Sequence, residues 1–124
     1  MRVLVADDDR DLAAALTDCV TVCGHEVVDT VSGGGLAVIR SFARHRPDAV
    51  LLDIQMPRCN GLTVCHALLS RKPDTKVIFV SGRVEGDHPM ISGCGAAGYL
   101  QKPVGLAELQ EMLGRAPTLA ARCS

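Results

Sequence analysis

Aromatic side chains are scarce in this chain, which has no tryptophan, one tyrosine and two phenylalanines among its 124 residues. Little is therefore available to stack against a planar cofactor. An excess of either charge is also missing, because the formal net charge is −1. Such a balance gives no electrostatic attraction to nucleic acid or to an anionic membrane. We expect no direct binding to either.

Long apolar runs are missing too, since none approaches the roughly 20 residues that cross a bilayer. The start, MRVLVADDD, lacks the apolar segment of a signal peptide because charge arrives after four apolar residues. We therefore expect a cytoplasmic domain. Its length is that of one ordinary domain with a core of its own.

Paired C-x-x-C motifs, the usual mark of a structural zinc site, are absent although the chain has six cysteines. In a cytoplasmic chain we expect reduced thiols that act as small core residues. The six are Cys19, Cys23, Cys59, Cys65, Cys94 and Cys123.

Short apolar runs alternate with amphipathic stretches along the chain. The runs at residues 2–6, 26–31, 48–53, 76–82 and 97–102 predict five strands. Between them, helical spacing places Leu36, Ile39, Phe42 and Ala43 on one helix face, and Pro47 is expected to end that helix. A last helix is predicted over residues 106–116. Gly86, Pro89 and Gly93 interrupt residues 83–95, so we expect order there to depend on modification or on a partner.

This alternation predicts a single (βα)₅ domain of the α/β class over residues 1–116, followed by a flexible tail at 117–124. The expected architecture is a doubly wound, five-stranded parallel sheet in the order 2-1-3-4-5, with helices on both faces. Ligands of such sheets bind beyond the carboxyl ends of the strands, so polar residues that end strands are the candidates for a site.

Polar side chains end four of the five strands. They are Asp7 and Asp8 after the first, Asp53 at the third, Ser81 at the fourth and Lys102 at the fifth. Three clustered carboxylates suit Mg²⁺, which prefers oxygen ligands. A hydroxyl and an ammonium beside them would cradle phosphoryl oxygens, and an aspartate can itself be the nucleophile. Asp53 is the best candidate because it ends the most apolar strand.

Four segments in this order carry a family resemblance. The segments VADDD, LLDIQMPRCNG, VSG and GYLQKP resemble the receiver domain of two-component response regulators, including the chemotaxis regulators. The resemblance covers residues 3 to about 113. Its most specific part is D-x-x-M-P-x-x-x-G, carried by Asp53, Met56, Pro57 and Gly61.

The resemblance implies that Asp53 accepts a phosphoryl group from a phosphohistidine on a sensor histidine kinase or a histidine phosphotransfer protein. It implies that Asp8 and Asp53 bind Mg²⁺ directly, that Asp7 acts through water, and that the Gln55 backbone carbonyl is a further ligand. Mn²⁺ could replace Mg²⁺. The domain is then a phosphoprotein that catalyses only its own phosphorylation and dephosphorylation, and not an enzyme acting on other substrates.

The resemblance also implies a switch. Ser81 and Lys102 would bind phosphoryl oxygens. Tyr99 would turn inward when the Ser81 hydroxyl moves toward the phosphoryl group. The alternative role of Tyr99 is packing as a half-buried strand residue. Gln55 and Arg83 would control access of water to the phosphoryl group. The output surface, about residues 84–115, would bind an unidentified downstream protein, with homodimer formation on activation.

Other interpretations remain open at this point. A phosphate-independent interaction module could use the same fold. A small Mg²⁺-dependent phosphatase is disfavoured because Gln55 stands where Asp-x-Asp phosphatases have their second acid, and a flavodoxin-like cofactor binder is disfavoured because rings are few. Asp9 and Asp11 are expected to cap a helix rather than bind metal.

Overall fold

The structure is a computed structural model that describes residues 1–53, 61–81, 95–102 and 104–114. The strands are β1 (Arg2–Ala6), β2 (Glu26–Val31), β3 (Ala49–Asp53), β4 (Lys76–Ser81) and β5 (Gly98–Gln101). The helices are α1 (Arg10–Val22), α2 (Gly35–His45), α3 (Gly61–Arg71) and α4 (Leu106–Leu113). Several predictions fall outside the described residues: those for residues 83–94 and 117–124, and those for Gln55, Met56, Pro57, Cys59, Cys94 and Cys123.

The five strands form one parallel sheet in the order β2-β1-β3-β4-β5, which confirms the predicted fold class. One apolar cluster lies between the sheet and the helices α2 and α3, and the other lies between the sheet and α1 and α4. All five residues of the central strand β3 are buried because both of its faces are covered by helices.

Helix α1 begins with a predicted cap and is followed by a glycine. Asp9 caps its start, since Oδ1 accepts hydrogen bonds from the backbone N–H groups of Asp11 at 3.0 Å and Leu12 at 3.2 Å. The capping prediction is thus confirmed for Asp9, while Asp11 lies exposed in the first turn. Gly24 follows the helix with φ +89°, a conformation that glycine adopts without strain.

The predicted inner face of α2 is partly wrong. Leu36 is 62% exposed and Ala43 is exposed, while Val38, Ser41 and Phe42 are buried. The helix has apolar residues at helical spacing on two neighbouring faces, and the sheet covers the one that carries Val38. The helix also ends at the left-handed Arg46, with φ +45°, one residue before Pro47.

Gly98 of β5 lies close to α4, where an added Cβ would overlap Met112 Sδ. Cys19, Cys23 and Cys65 are free thiols, as predicted, and burial followed by the charge of Cys19 raises the pKa of Cys23. Among the helices that the structure describes, none has the length and apolarity to cross a membrane.

Candidate functional site

The parallel register brings the predicted polar residues to one edge of the sheet. Asp53, the last residue of β3, pairs with Val80, and Ser81, the last residue of β4, pairs with Gln101. Lys102 follows directly, and its backbone N–H donates to the Ser81 carbonyl at 2.7 Å. Asp7 follows β1 in the same way, with its N–H bound to Val31 O at 3.0 Å. Strand ends that share one edge therefore hold four candidate residues together.

The Lys102 ammonium lies between two of the carboxylates. Its Nζ is 3.0 Å from Asp7 Oδ2 and 3.3 Å from Asp53 Oδ2. The lysine side chain is 14% exposed, that of Asp53 6% and that of Asp7 0%. Buried carboxylates are costly to keep ionised without a partner, so the ammonium stabilises both charges at once.

The same contacts keep Lys102 charged. Burial acts to lower the pKa of this ammonium, but the contact with Asp7 and the charge of Asp53 outweigh burial and raise the pKa above its usual value. At neutral pH the site therefore holds a full positive charge beside two buried carboxylates.

The two carboxylate oxygens of Asp7 have different partners. Its Oδ1 accepts the Asp9 N–H at 2.9 Å. Its Oδ2 is buried, and among the described residues the Lys102 ammonium is the group that contacts this oxygen, at 3.0 Å. A carboxylate oxygen can accept more than one contact, so Oδ2 can also take a metal cation or an ordered water molecule, and the residues present fit a divalent metal.

The third predicted metal carboxylate is placed differently. Asp8 is exposed at the same edge, next to the buried Asp7. Over residues 1–53, 61–81, 95–102 and 104–114, no three His, Cys, Asp or Glu side chains are grouped closely enough to hold a metal ion. Gln55, the predicted backbone ligand, lies outside those ranges, as does Arg83. The structure thus brings Asp7 and Asp53 together and leaves Asp8 in solvent.

The two predicted switch residues lie on β4 and β5. Ser81 is fully buried, and Tyr99 is half-buried, paired in register with Phe79 and packed against the core cluster under α2 and α3. Both make further interactions within the protein. Tyr99 therefore has the packing role that was its alternative interpretation, and its role in switching stays a prediction.

Sequence reasoning missed the direct pairing of Asp7 with Lys102, because it assigned Asp7 to water and Lys102 to phosphate. The available signal was weak. Val3, Leu4, Val5 and Ala6 are all apolar, so β1 has no polar alternation from which to decide whether Asp7 or Asp8 points inward.

The comparison with protein families decides the identity of the fold. Residues 3–114 match the model of the response regulator receiver domain. The chain belongs to this family. Receiver domains are signalling modules of two-component systems; phosphorylation is their general chemistry, they interact with histidine kinases, and they generally bind Mg²⁺.

Individual relatives agree with the family match. The transcriptional regulatory protein PrrA of Mycobacterium tuberculosis is 42% identical over 110 residues, which are 87% of this chain and 46% of PrrA. The chain thus spans about half the length of curated relatives such as PrrA and MprA of Mycobacterium leprae, of which it covers 46% and 47%.

Solved receiver structures superpose closely on this one. The signal receiver domain of NarL from Mycobacterium tuberculosis has a TM-score of 0.80 at 30% identity, over 92% of this chain and 97% of that one. A chain of the CheX–CheY–BeF₃–Mg²⁺ complex of Borrelia burgdorferi has a TM-score of 0.81 at 26% identity, over 91% and 86%.

Proposed function

We propose that Asp53 of this receiver domain accepts a phosphoryl group from a phosphohistidine on a sensor histidine kinase or a histidine phosphotransfer protein. The observation that carries the proposal is the Lys102 ammonium, 3.3 Å from Asp53 and 3.0 Å from Asp7. It supports an ionised, nucleophilic carboxylate in a buried place and supplies positive charge where phosphoryl oxygens would arrive.

The transfer is an in-line displacement at phosphorus. An Asp53 carboxylate oxygen attacks the phosphorus, the P–N bond of the phosphohistidine breaks, and its electron pair returns to the imidazole nitrogen. The products are an aspartyl phosphate and an unmodified histidine. Lys102 offsets the charge of the phosphoryl oxygens, and the Ser81 hydroxyl donates a hydrogen bond to one of them.

Asp7, Asp53 and Asp8, with the Gln55 carbonyl, are the residues that would hold Mg²⁺ or Mn²⁺. The buried Oδ2 of Asp7, which the Lys102 ammonium contacts and which can accept a further contact, supports this assignment. When bound, the metal neutralises oxygens of the transferring group. The solved complex of CheX, CheY, BeF₃ and Mg²⁺ from Borrelia burgdorferi, a chain of which superposes on this one, supports a metal in receiver domains of this kind.

Phosphorylation then changes the partners of Lys102. The new group adds about −1.5 to −2 charges next to an ammonium that already bridges two carboxylates. The Lys102 N–H is bonded to Ser81 O at 2.7 Å, so a shift of either residue is transmitted to the other. In this proposal Tyr99, Gln55 and Arg83 modulate the response. Residues 84–115 bind a downstream protein and support homodimer formation.

The remaining predictions concern the larger system. We propose that the domain is a signal carrier and not an enzyme acting on other substrates, and that these 124 residues do not contact nucleic acid directly, consistent with their net charge of −1. The cytoplasmic location and the boundary of the domain near residue 116 stay predictions.

Intact-mass analysis after incubation with acetyl phosphate tests the proposal, with and without Mg²⁺. We expect one phosphoryl adduct that requires Mg²⁺ and that is absent in Asp53→Asn. Asp74→Asn is the matched control, since that side chain is 83% exposed and pairs only with Lys72 among the described residues. An unchanged adduct in Asp53→Asn would contradict the assignment. No adduct in any variant, with Mg²⁺ still bound, would favour the phosphate-independent interaction module.

A further inference from the structure

The sheet ends in an open strand on the side of β2. This strand is bound to β1 only, and none of the strands that the structure describes lies beyond it. An outer strand exposes backbone N–H and C=O groups that can pair with another chain. Thr30, near the end of β2, is exposed. The open edge is therefore a place where a further strand could add.

One outward group of this edge is already occupied. The Val31 carbonyl accepts the Asp7 N–H at 3.0 Å, so Val31 faces β1, and the preceding Thr30 turns its N–H away from β1. That N–H donates instead to Asp29 Oδ1 at 2.9 Å. The carboxylate of Asp29 thus takes the position where an added strand would place a carbonyl oxygen.

The carboxylate is held in place from the helix side. Its Oδ2 accepts the hydroxyl of Ser41, a buried residue of α2, at 2.6 Å, and lies 3.7 Å from His45 Nε2. A groove of about 350 Å³ runs beside it between β2 and α2, with Arg40 and Arg44 on its wall. Ser41 and His45 therefore restrict a side chain that would otherwise be free to turn away from the edge.

The geometry points to a latent interface: the outer edge of β2 is a docking surface for β2 of a second copy of this chain, and Asp29 keeps it closed. This inference does not depend on the proposed phosphoryl transfer.

A second copy is the occupant whose charges fit. Two copies of one edge strand pair antiparallel about a twofold axis, so the start of each strand lies beside the end of the other. Glu26, exposed at the start of β2, would then approach the wall that carries Arg40 and Arg44 at the end of the partner's strand. The Asp29 carboxylate opposes this arrangement because it occupies the Thr30 N–H.

Sedimentation velocity on the unphosphorylated chain tests the inference over a concentration series. We expect Asp29→Ala to self-associate about tenfold more tightly than the wild type or better, because Thr30 loses its acceptor and regains one by pairing. Asp74→Ala, an exposed aspartate far from this edge, should behave as the wild type.

A backbone variant identifies the surface. Thr30→Pro removes the outward N–H, and an edge strand tolerates proline where its N–H does not join the ladder. The double variant Asp29→Ala/Thr30→Pro should return to the wild-type association constant. Association that persists in the double variant would overturn the inference, since another surface would then be responsible.

Two further outcomes would also overturn it. The first is that the Asp29→Ala variant associates no more tightly than the wild type. The second is that the Asp29→Ala variant binds extended peptides of foreign sequence but does not bind a second copy of itself. If Asp29→Ala does not fold, Ser41→Ala, which removes only the anchoring hydroxyl, takes its place. Ser41→Ala should raise the self-association constant by less than Asp29→Ala is expected to, and adding Thr30→Pro should cancel the increase. An unchanged association constant would count against the inference.

Discussion

The two ends of the sheet use their lysines and arginines differently. At the carboxyl end, Lys102 contacts two buried carboxylates, which are charged groups able to take another cation. At the amino end, Arg2 Nη1 donates to His45 O at 2.6 Å, and Lys76 Nζ donates to Met112 O at 3.3 Å and Leu113 O at 3.2 Å.

Those carbonyls belong to the last turns of α2 and α4, where the helix dipole favours a positive charge. These cations are bound to backbone carbonyls at the ends of helices, and Arg2 Nη1 also donates to Arg46 O at 3.3 Å. The comparison indicates that charge at the amino end serves stability, while charge at the carboxyl end can be exchanged. Signalling needs an exchangeable contact between buried charged groups. In the described part of the chain Lys102 provides such a contact at the carboxyl end, whereas Lys72 at the amino end pairs with exposed carboxylates.

The largest test of this contrast is Lys102→Met. In buffer with a chelator, removal of the ammonium takes away the positive charge that the buried carboxylates of Asp7 and Asp53 share. We expect the free energy of unfolding to fall by about 3–5 kcal/mol, measured by urea denaturation. Mg²⁺ should recover more stability in the variant than it adds to the wild type, because the metal replaces the missing positive charge. An unchanged unfolding free energy would contradict the idea that the ion pairs keep both carboxylates buried.

The difference in unfolding free energy between wild type and Lys102→Met should also depend on pH. The pKa of Lys102 is raised in the folded protein, so its contribution is fully present below the ordinary lysine pKa of about 10.4 and is lost as the pH rises through the higher folded value. The gap in unfolding free energy between wild type and Lys102→Met should therefore stay constant from neutral pH to about pH 9.5 and shrink only above that range. A gap that closes near neutral pH would show that the ammonium is not held charged by its carboxylates.

A smaller effect is expected at the amino end. Lys76→Met removes two hydrogen bonds from a charged donor to the end of α4, and we expect a loss of about 1–3 kcal/mol. Hydrogen exchange should show earlier opening of α4, while phosphoryl uptake from acetyl phosphate stays as in the wild type.

Lys72→Met is the control for that variant. Lys72 lies at the same end but pairs with the exposed carboxylates of Asp48 at 3.9 Å and Asp74 at 3.5 Å, so its removal should cost less than about 1 kcal/mol. Equal losses for the two lysines would contradict the view that binding to helix carbonyls, and not charge alone, stabilises this end.

Strand positions could be predicted from the sequence because each strand is an apolar run between polar residues. The predicted bounds of β1 and β2 are those observed. The phase of α2 could not be predicted, since Leu36 and Val38 both begin helical apolar patterns and only the position of the sheet distinguishes them.

The sequence was enough to predict which site residues lie at the same edge of the sheet. Asp7, Asp53, Ser81 and Lys102 end their strands at that edge because parallel strands bring their carboxyl ends together. Which atoms contact each other was not predictable. A lysine side chain has four rotatable bonds, and its partner depends on how deeply each carboxylate is buried. The hydrogen bonds of Asp29 escaped prediction for the same reason, since Ser41 and His45 are brought to it only by the packing of α2 on β2.

The contact between Gly98 and Met112 has a consequence for sequence variation. A Cβ at Gly98 would overlap the thioether of Met112, so a side chain at position 98 requires the flexible Met112 side chain to turn away or to be replaced by a smaller one. The two positions should therefore change together among related sequences, with residues larger than glycine at the first accompanied by smaller residues at the second. A larger residue at position 98 alone would have to displace the Met112 side chain from β5.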